Sequence, residues 1–257
     1  MKSPMKSWCI TLLLTLALGL SFSGAVQSAE IKALSAGAVE PGVEAFVHHL
    51  KQLNSVHDLK VQFNTAPQIA KRLAANEVFD ILITTPAAME QAIKDGKVVP
   101  EGRVRIGRVG GGVHVRAGAA APNIATADAL KQAVLAADSV VYNTASTGLY
   151  LDTLFAKMGI LDQIKAKSTR YANGASVLEH VIKGKGNEIG VGAITEIKLY
   201  ATKGLKYVGP LPAEVQNYTT YEAAMMVGAT APDAVKEILW VMGAPASKAV
   251  FVIARVE

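Results

Sequence analysis

Four short segments hold the residues best suited to chemistry. They are Ser35-Ala36-Gly37-Ala38, Asn64-Thr65-Ala66-Pro67, Thr84-Thr85-Pro86 and Asn143-Thr144-Ala145-Ser146-Thr147-Gly148. Each is built from small residues, carries a hydroxyl, and lies between a strand-like apolar run and a helical pattern. Helix N-termini present N–H groups without intrahelical acceptors and a partial positive charge, so loops of this kind can hold an anion with neutral donors alone. In any one loop Ser or Thr reads first as an N-cap; four such loops in one chain point to a shared site. The candidate ligand-binding residues are Ser35, Gly37, Ala38, Thr65, Ala66, Thr84, Thr85, Ser146, Thr147 and Gly148, with Tyr150 in the turn that follows.

Groups able to move a proton are fewer, and each has a structural alternative. Glu40 follows the first loop and equally suits the first turn of a helix. Glu196 follows Thr195 at an expected helix start, where capping is the simpler role. Tyr142 reads as strand packing, Tyr150 as a possible cleft residue, and His114 as an exposed side chain by a crossover. No catalytic residue is assigned among them. Arg116 and Arg170 have the reach for a bidentate grip on a carboxylate, yet neither falls in the four loops. His48 and His49 lie about 100° apart on a helix and share no face; with His57 nearby they read as a solvated edge, and no metal is expected. Gly110-Gly111-Gly112 is not followed by Gly-Lys-Ser/Thr, which argues against a nucleotide loop, and no Gly-x-Ser-x-Gly elbow is present.

The elements that must position these loops repeat one plan. Ile31–Ala38 reads as a short strand, Pro41 suits a first helical turn, and Val43, Phe46, Val47, Leu50 and Leu53 keep helical spacing. Strand Leu59–Phe63 leads to a helix ending near Ala75, and strand Phe79–Ile83 to a helix ending near Lys94. These strands are apolar without alternation, as expected of a parallel sheet covered on both faces. The segment "RVRIGRVGGGVHVRAG" breaks the rhythm. Beyond it, helix "TADALKQAVLAA", strand "SVVY", helix "SVLEHVIKGKG", strand "EIGVGAI" and helix "TEIKLYATKG" resume it; "LKYVGPLPAEV" and "YEAAMMVGA" read as extended, and the tail as helices. Ligands of such sheets bind outside the carboxyl ends of the strands, where all four loops fall.

Residues 1–29 read as a secretory signal peptide: Lys2 and Lys6, the apolar run "CITLLLTLALGL", then small residues with cleavage expected near Ser28 or Ala29, or at Ala25. The single cysteine, Cys9, lies inside this leader, which excludes disulfides and thiolate chemistry from residues 30–257. The chain holds 26 basic and 21 acidic residues, with two of the lysines in the leader, so the remainder is only mildly positive. No basic run exceeds a pair, and nucleic-acid binding has no support.

The segments "LSAGA", "FNTAPQIAKRLAANEVFDILI", "VHVRAGAAAPNIATADALKQAVLAADSVVYNTASTGLYL" and "EIGVGAITEIK" together resemble the type 2 periplasmic solute-binding proteins, in the molybdate-binding-protein-like group. The resemblance implies a two-lobed α/β fold with mixed sheets flanked by helices and two crossover segments, near "IGRVGGGVHVRAG" and "GPLPAEVQNYTTYEAA". Residues 30–113 and 221–257 would form lobe 1 and residues 114–220 lobe 2. It implies a periplasmic protein, monomeric, without cofactor, that captures a small anion for an inner-membrane ABC permease. The chain departs from the molybdate-binder pattern near Ala38, where a serine is usual, and within "GVGAITE", which lacks the usual tyrosine. The periplasmic aconitate isomerases of the same group are similar at "LSAGA", "YNTASTGLYL" and "GVGAITEIK"; such an enzyme moves a double bond in a tricarboxylate and needs a base at the substrate carbon.

Overall fold

In the computed structural model the structure describes residues 28–257. The leader and Cys9 lie outside the described residues. The first half-sheet grows from three βα units: β1 (Glu30–Ala36) with α1 (Glu40–Gln52), β2 (Asp58–Asn64) with α2 (Ala66–Ala74), and β3 (Ile81–Thr84) with α3 (Pro86–Lys94). β1 lies between β2 and β3, parallel to both. The long strand β4 (Val104–Arg116) then leads to α4 (Ala127–Ala136), β5 (Ser139–Asn143), α5 (Ser146–Lys157), α6 (Leu161–Ile164), β6 (Ser168–Tyr171), α7 (Gly174–Lys183), β7 (Glu188–Ala193) and α8 (Ile194–Leu199). β5 runs parallel to both β6 and β7. β8 (Leu205–Pro210), β9 (Tyr218–Met225), α9 (Pro232–Gly243) and α10 (Pro245–Ile253) complete the chain.

The sheet order is β2-β1-β3-β9-β4-β7-β5-β6, with β8 on the flank of β4. β4 belongs to both halves: Val104–Gly110 pairs with β9, and Gly111–His114 pairs with β7. The triple glycine therefore does not interrupt the strand, as its composition suggested. It permits close approach. A Cβ on Gly111 would lie 2.8 Å from Leu211 Cδ1, and one on Gly112 2.8 Å from Ile194 Cγ1.

Burial explains the apolar strands. One core packs Ile31, Leu34 and Ile81–Ile83 against α1, α9 and α10, with the Phe46 and Phe251 rings stacked at 5.7 Å. In the second half, Val140 and Tyr142 face Leu151, Phe155 and Ile164, whereas Val141 faces Val177, Leu178 and Ile197. Consecutive residues of β5 thus enter different cores, so the strand is apolar on both faces. The stripe expected on α1 is buried at Val43, Phe46 and Leu50, but Leu53 is 54% exposed because the helix ends at Gln52. β6 and α6 have no counterpart among the sequence expectations. β6 is a polar edge strand, Ser-Thr-Arg-Tyr, and carries no hydrophobic pattern. The expected long helix from Thr195 to Gly204 is instead α8 plus a 3-10 turn, stopped by Gly204 at φ 103°.

Candidate functional site

Six β-to-α junctions meet at one cavity between the two half-sheets. From the first come Ala36, Gly37 and Ala38 (β1 to α1), Asn64, Thr65 and Ala66 (β2 to α2), and Thr84 and Thr85 (β3 to α3). From the second come Asn143, Ala145, Ser146 and Thr147 (β5 to α5), Gly174 (β6 to α7), and Ala193 and Glu196 (β7 to α8). Tyr221 of β9 completes the lining. The cavity volume is about 50 Å³, well below that of an open ligand cleft. Among the described residues no lysine or arginine lines it.

Local hydrogen bonds fix these junctions. The Asn143 side-chain oxygen accepts from Ala145 N at 3.0 Å and Gly148 N at 3.1 Å, which folds the loop before α5 and leaves Ser146 and Thr147 at the cavity. Gln68 Oε1 accepts from the Thr65 backbone N–H and hydroxyl at 2.9 and 3.0 Å. Asn173 accepts from Ser176 N at 2.7 Å and caps α7. The Thr84 hydroxyl is buried and has no partner among the described residues, a condition that costs on the order of 1–3 kcal/mol unless something else bonds it.

Most of the candidate residues converge here. Gly37, Ala38, Thr65, Ala66, Thr84, Thr85, Ser146 and Thr147 all line the cavity. Ser35, Gly148 and Tyr150 stand outside the lining. Ser35 is fully buried, and its hydroxyl donates to Ala36 O. Gly148 packs so tightly on Asn143 that any Cβ would collide with the Asn143 carbonyl. The Tyr150 hydroxyl donates to Val215 O at 2.6 Å.

Among the proton-transfer candidates only Glu196 lines the cavity. It does not cap α8: Ala193 is the N-cap, and no side chain caps that helix. The Thr195 hydroxyl instead reaches across to donate to Ala38 O at 2.6 Å, joining the two halves. The part-buried Glu196 carboxyl is held between glycines of opposite halves. A Cβ on Gly37 would lie 3.4 Å from its Oε1, and one on Gly174 2.6 Å from its Cδ. Burial, and then the nearby Glu40 charge, push its pKa up to about 7. Burial and the Glu196 charge in turn hold the Tyr221 hydroxyl well above its usual range.

The remaining candidates do other work. The Glu40 carboxyl is raised, first by its own burial and then by Glu44, and does not line the cavity. Tyr142 packs edge-on to Phe155 and donates to Asp152 at 3.1 Å. His114, expected to be exposed, is fully buried in the second half. Arg170 is paired with Asp152 at 2.9 Å and donates to Asn143 O at 3.3 Å, and Arg116 does not line the cavity. His48 bonds Gln52, and His57 meets Glu237 at 3.4 Å. Among the described residues no group of three or more potential ligands could hold a metal ion. Ala36, Asn64, Asn143 and Ala145 lie in the four segments without being named as ligand-binding residues, whereas Gly174, Ala193 and Tyr221 lie outside those segments. Asn173-Gly174 repeats the small-polar pattern of the other loops and is the signal that would have found the sixth junction.

The model for the family described as "Bacterial extracellular solute-binding protein" matches residues 31–252. The chain belongs to this family. The solute-binding protein shares its two-lobed fold with the periplasmic molybdate-binding protein of Azotobacter vinelandii: TM-score 0.70, 14% identity, 87% of this chain and 97% of that one. The sulfate-binding protein of Mycobacterium tuberculosis is similar at TM-score 0.69, 15% identity, 88% and 86% coverage. In sequence it is 32% identical over 177 residues to an aconitate isomerase of a Pseudomonas species. That match covers 68% of this chain and 66% of the relative. Among the described residues no helix is long and apolar enough to cross a membrane.

Proposed function

We propose that this solute-binding protein captures a small anion, a molybdate-like oxyanion or a small carboxylate, in the cavity between its lobes and delivers it to an ABC permease in the inner membrane. On this reading it is periplasmic, residues 30–113 and 221–257 form one lobe and residues 114–220 the other. The observation that carries the reading is the convergence of α2, α3, α5 and α7, each by its N-terminus, and of the 3-10 turn Gly37–Val39 that leads into α1, on a cavity that no lysine or arginine among the described residues lines. Twelve residues in α5, ten in α7, and nine in α2 and α3, give each helix enough turns for a terminal dipole. The Thr84 hydroxyl, partnerless among the described residues, adds a donor aimed at the same space. Lobe closure then buries the anion.

A thermal-shift screen of the purified protein against molybdate, tungstate, sulfate, phosphate, citrate and both aconitate isomers tests it. A ligand at a hundred times its Kd stabilises by about 2.7 kcal/mol, which for a chain of this size raises Tm by roughly 5–10 °C. No shift with any of the seven refutes anion capture.

Glu196 and the aconitate isomerase relative favour a second reading, an isomerase acting on a tricarboxylate. In that reaction the ionised Glu196 takes a proton from the substrate methylene carbon. The double bond shifts by one carbon, and the same proton returns to the former alkene carbon. A base whose pKa lies near the working pH suits both transfers. Proton NMR of cis-aconitate incubated with the protein would show trans-aconitate appearing. Glu196→Gln would stop it; no conversion by the unaltered protein sinks this reading.

A further inference from the structure

Glu196 presents a conflict of charge. Its carboxyl sits in the cavity proposed to hold an anion, and among the described residues no lysine or arginine lines that cavity and no hydrogen bond or opposite charge acts on the carboxyl. The helix N-termini supply partial positive charge, but they surround the space in which anion and carboxylate would lie together. Two like charges a few ångströms apart, partly shielded from water, repel by several kcal/mol. The lobes leave the carboxyl no retreat. Gly37 closes on it from one side and Gly174 from the other, and the Thr195–Ala38 hydrogen bond holds the two halves together next to it.

We infer that Glu196 enters the occupied cavity as a neutral carboxylic acid that donates its proton to the bound anion, so that each anion is captured together with one proton. The inference rests on the capture reading and not on the isomerase reading, in which Glu196 works ionised. The surroundings favour the neutral form. Glu40 on α1, with Glu44 behind it, adds negative charge, and Tyr221 on β9 is held neutral. Tyr200, in the turn after α8, is likewise raised by burial and by Glu179, Glu40 and Glu196. Lys203 is the opposing charge; it acts on Glu40. In the empty site the group already titrates at about 7, and an adjacent anion moves it higher. Proton uptake on binding therefore begins near neutral pH and approaches one proton per anion above it.

Isothermal titration calorimetry of the full protein tests this with citrate, trans-aconitate, molybdate and sulfate as probes. Each titration is run at pH 6 and pH 8.5, in two buffers of different ionisation enthalpy, with Glu196→Gln alongside. The expected result is uptake of about one proton at pH 8.5 and an affinity about thirtyfold weaker than at pH 6. In Glu196→Gln both effects disappear, apart from the probe's own titration, which is common to both proteins. Binding without proton uptake, or with the same pH dependence in Glu196→Gln, overturns the inference and leaves anion capture standing. If none of the four binds either protein at either pH, anion capture fails and the inference with it. Should Glu196→Gln not fold, the two-buffer measurement on the unaltered protein decides alone.

Discussion

The cavity between the lobes and the interior of the second lobe each hold a titratable side chain that burial displaces from its ordinary value. Glu196 lies in the first and His114 in the second. Burial moves both away from their ordinary values, Glu196 up to about 7 and His114 down to about 3. In each case the neutral form is favoured. The difference is what surrounds them. Glu196 faces free space at which four helices aim their N-termini. His114 is fully buried and packed onto Gly190 of β7 so closely that a Cβ there would collide with the ring. A displaced pKa is therefore a property of burial in both regions, and only the cavity turns it into possible chemistry.

The largest expected effect breaks the pair apart by pH. The folded His114 binds its proton far less readily than the unfolded one, so its contribution to stability is complete above pH 6.5 and is lost as pH falls toward 3. The full shift corresponds to about 4–5 kcal/mol at pH 3. Urea melts from pH 7 to pH 3 should show a steeper acid loss in the unaltered protein than in His114→Leu. Glu196 has the opposite slope. Its folded form keeps a proton that the unfolded chain releases from about pH 4.5, so stability falls as pH rises from there to about 7. Discounted for its partial contact with solvent, the loss is about 2–3 kcal/mol. Glu196→Gln should be more stable by that amount at pH 8 and equal at pH 4, which denaturant midpoints at the two pH values would show.

Smaller effects sharpen the line between lining and packing. Alanine at both Ser146 and Thr147 should weaken anion binding by about 1–2 kcal/mol, since each neutral hydrogen bond contributes roughly 0.5–1.5 net. Calorimetry reads this directly, and unchanged affinity would remove that loop from the site. Tyr150→Phe removes the bond to Val215 O and should cost about 1 kcal/mol of stability or less. Its anion affinity should stay as it was; a weaker Kd would place Tyr150 at the ligand after all.

Five of the six junctions could be read along the chain, because a strand, a small-polar loop and a helix start are local features. Eight candidate residues from four of those junctions line one cavity for that reason. What stayed hidden depends on long-range placement. Gly174 follows β6, whose polar edge sequence gives no strand signal. Tyr221 reaches the site because β9 inserts antiparallel between β3 and β4. Thr195 and Glu196 look like helix-capping residues until the opposite lobe is in place; only then does the hydroxyl meet Ala38 O and the carboxyl meet Gly37. The burial of His114 was missed because β4 resembles an exposed crossover in sequence, whereas β7 and β8 flank it on both sides in the fold.

The sharing of β4 has a consequence for how the molecule comes apart. One unbroken strand supplies hydrogen bonds to β9 in the first half-sheet and to β7 and β8 in the second. Neither lobe can lose its sheet without stripping partners from a strand that the other lobe still uses. Heat should accordingly melt the protein in a single cooperative transition, with calorimetric and van't Hoff enthalpies in agreement, and amide exchange along β4 should be limited by global opening in both halves.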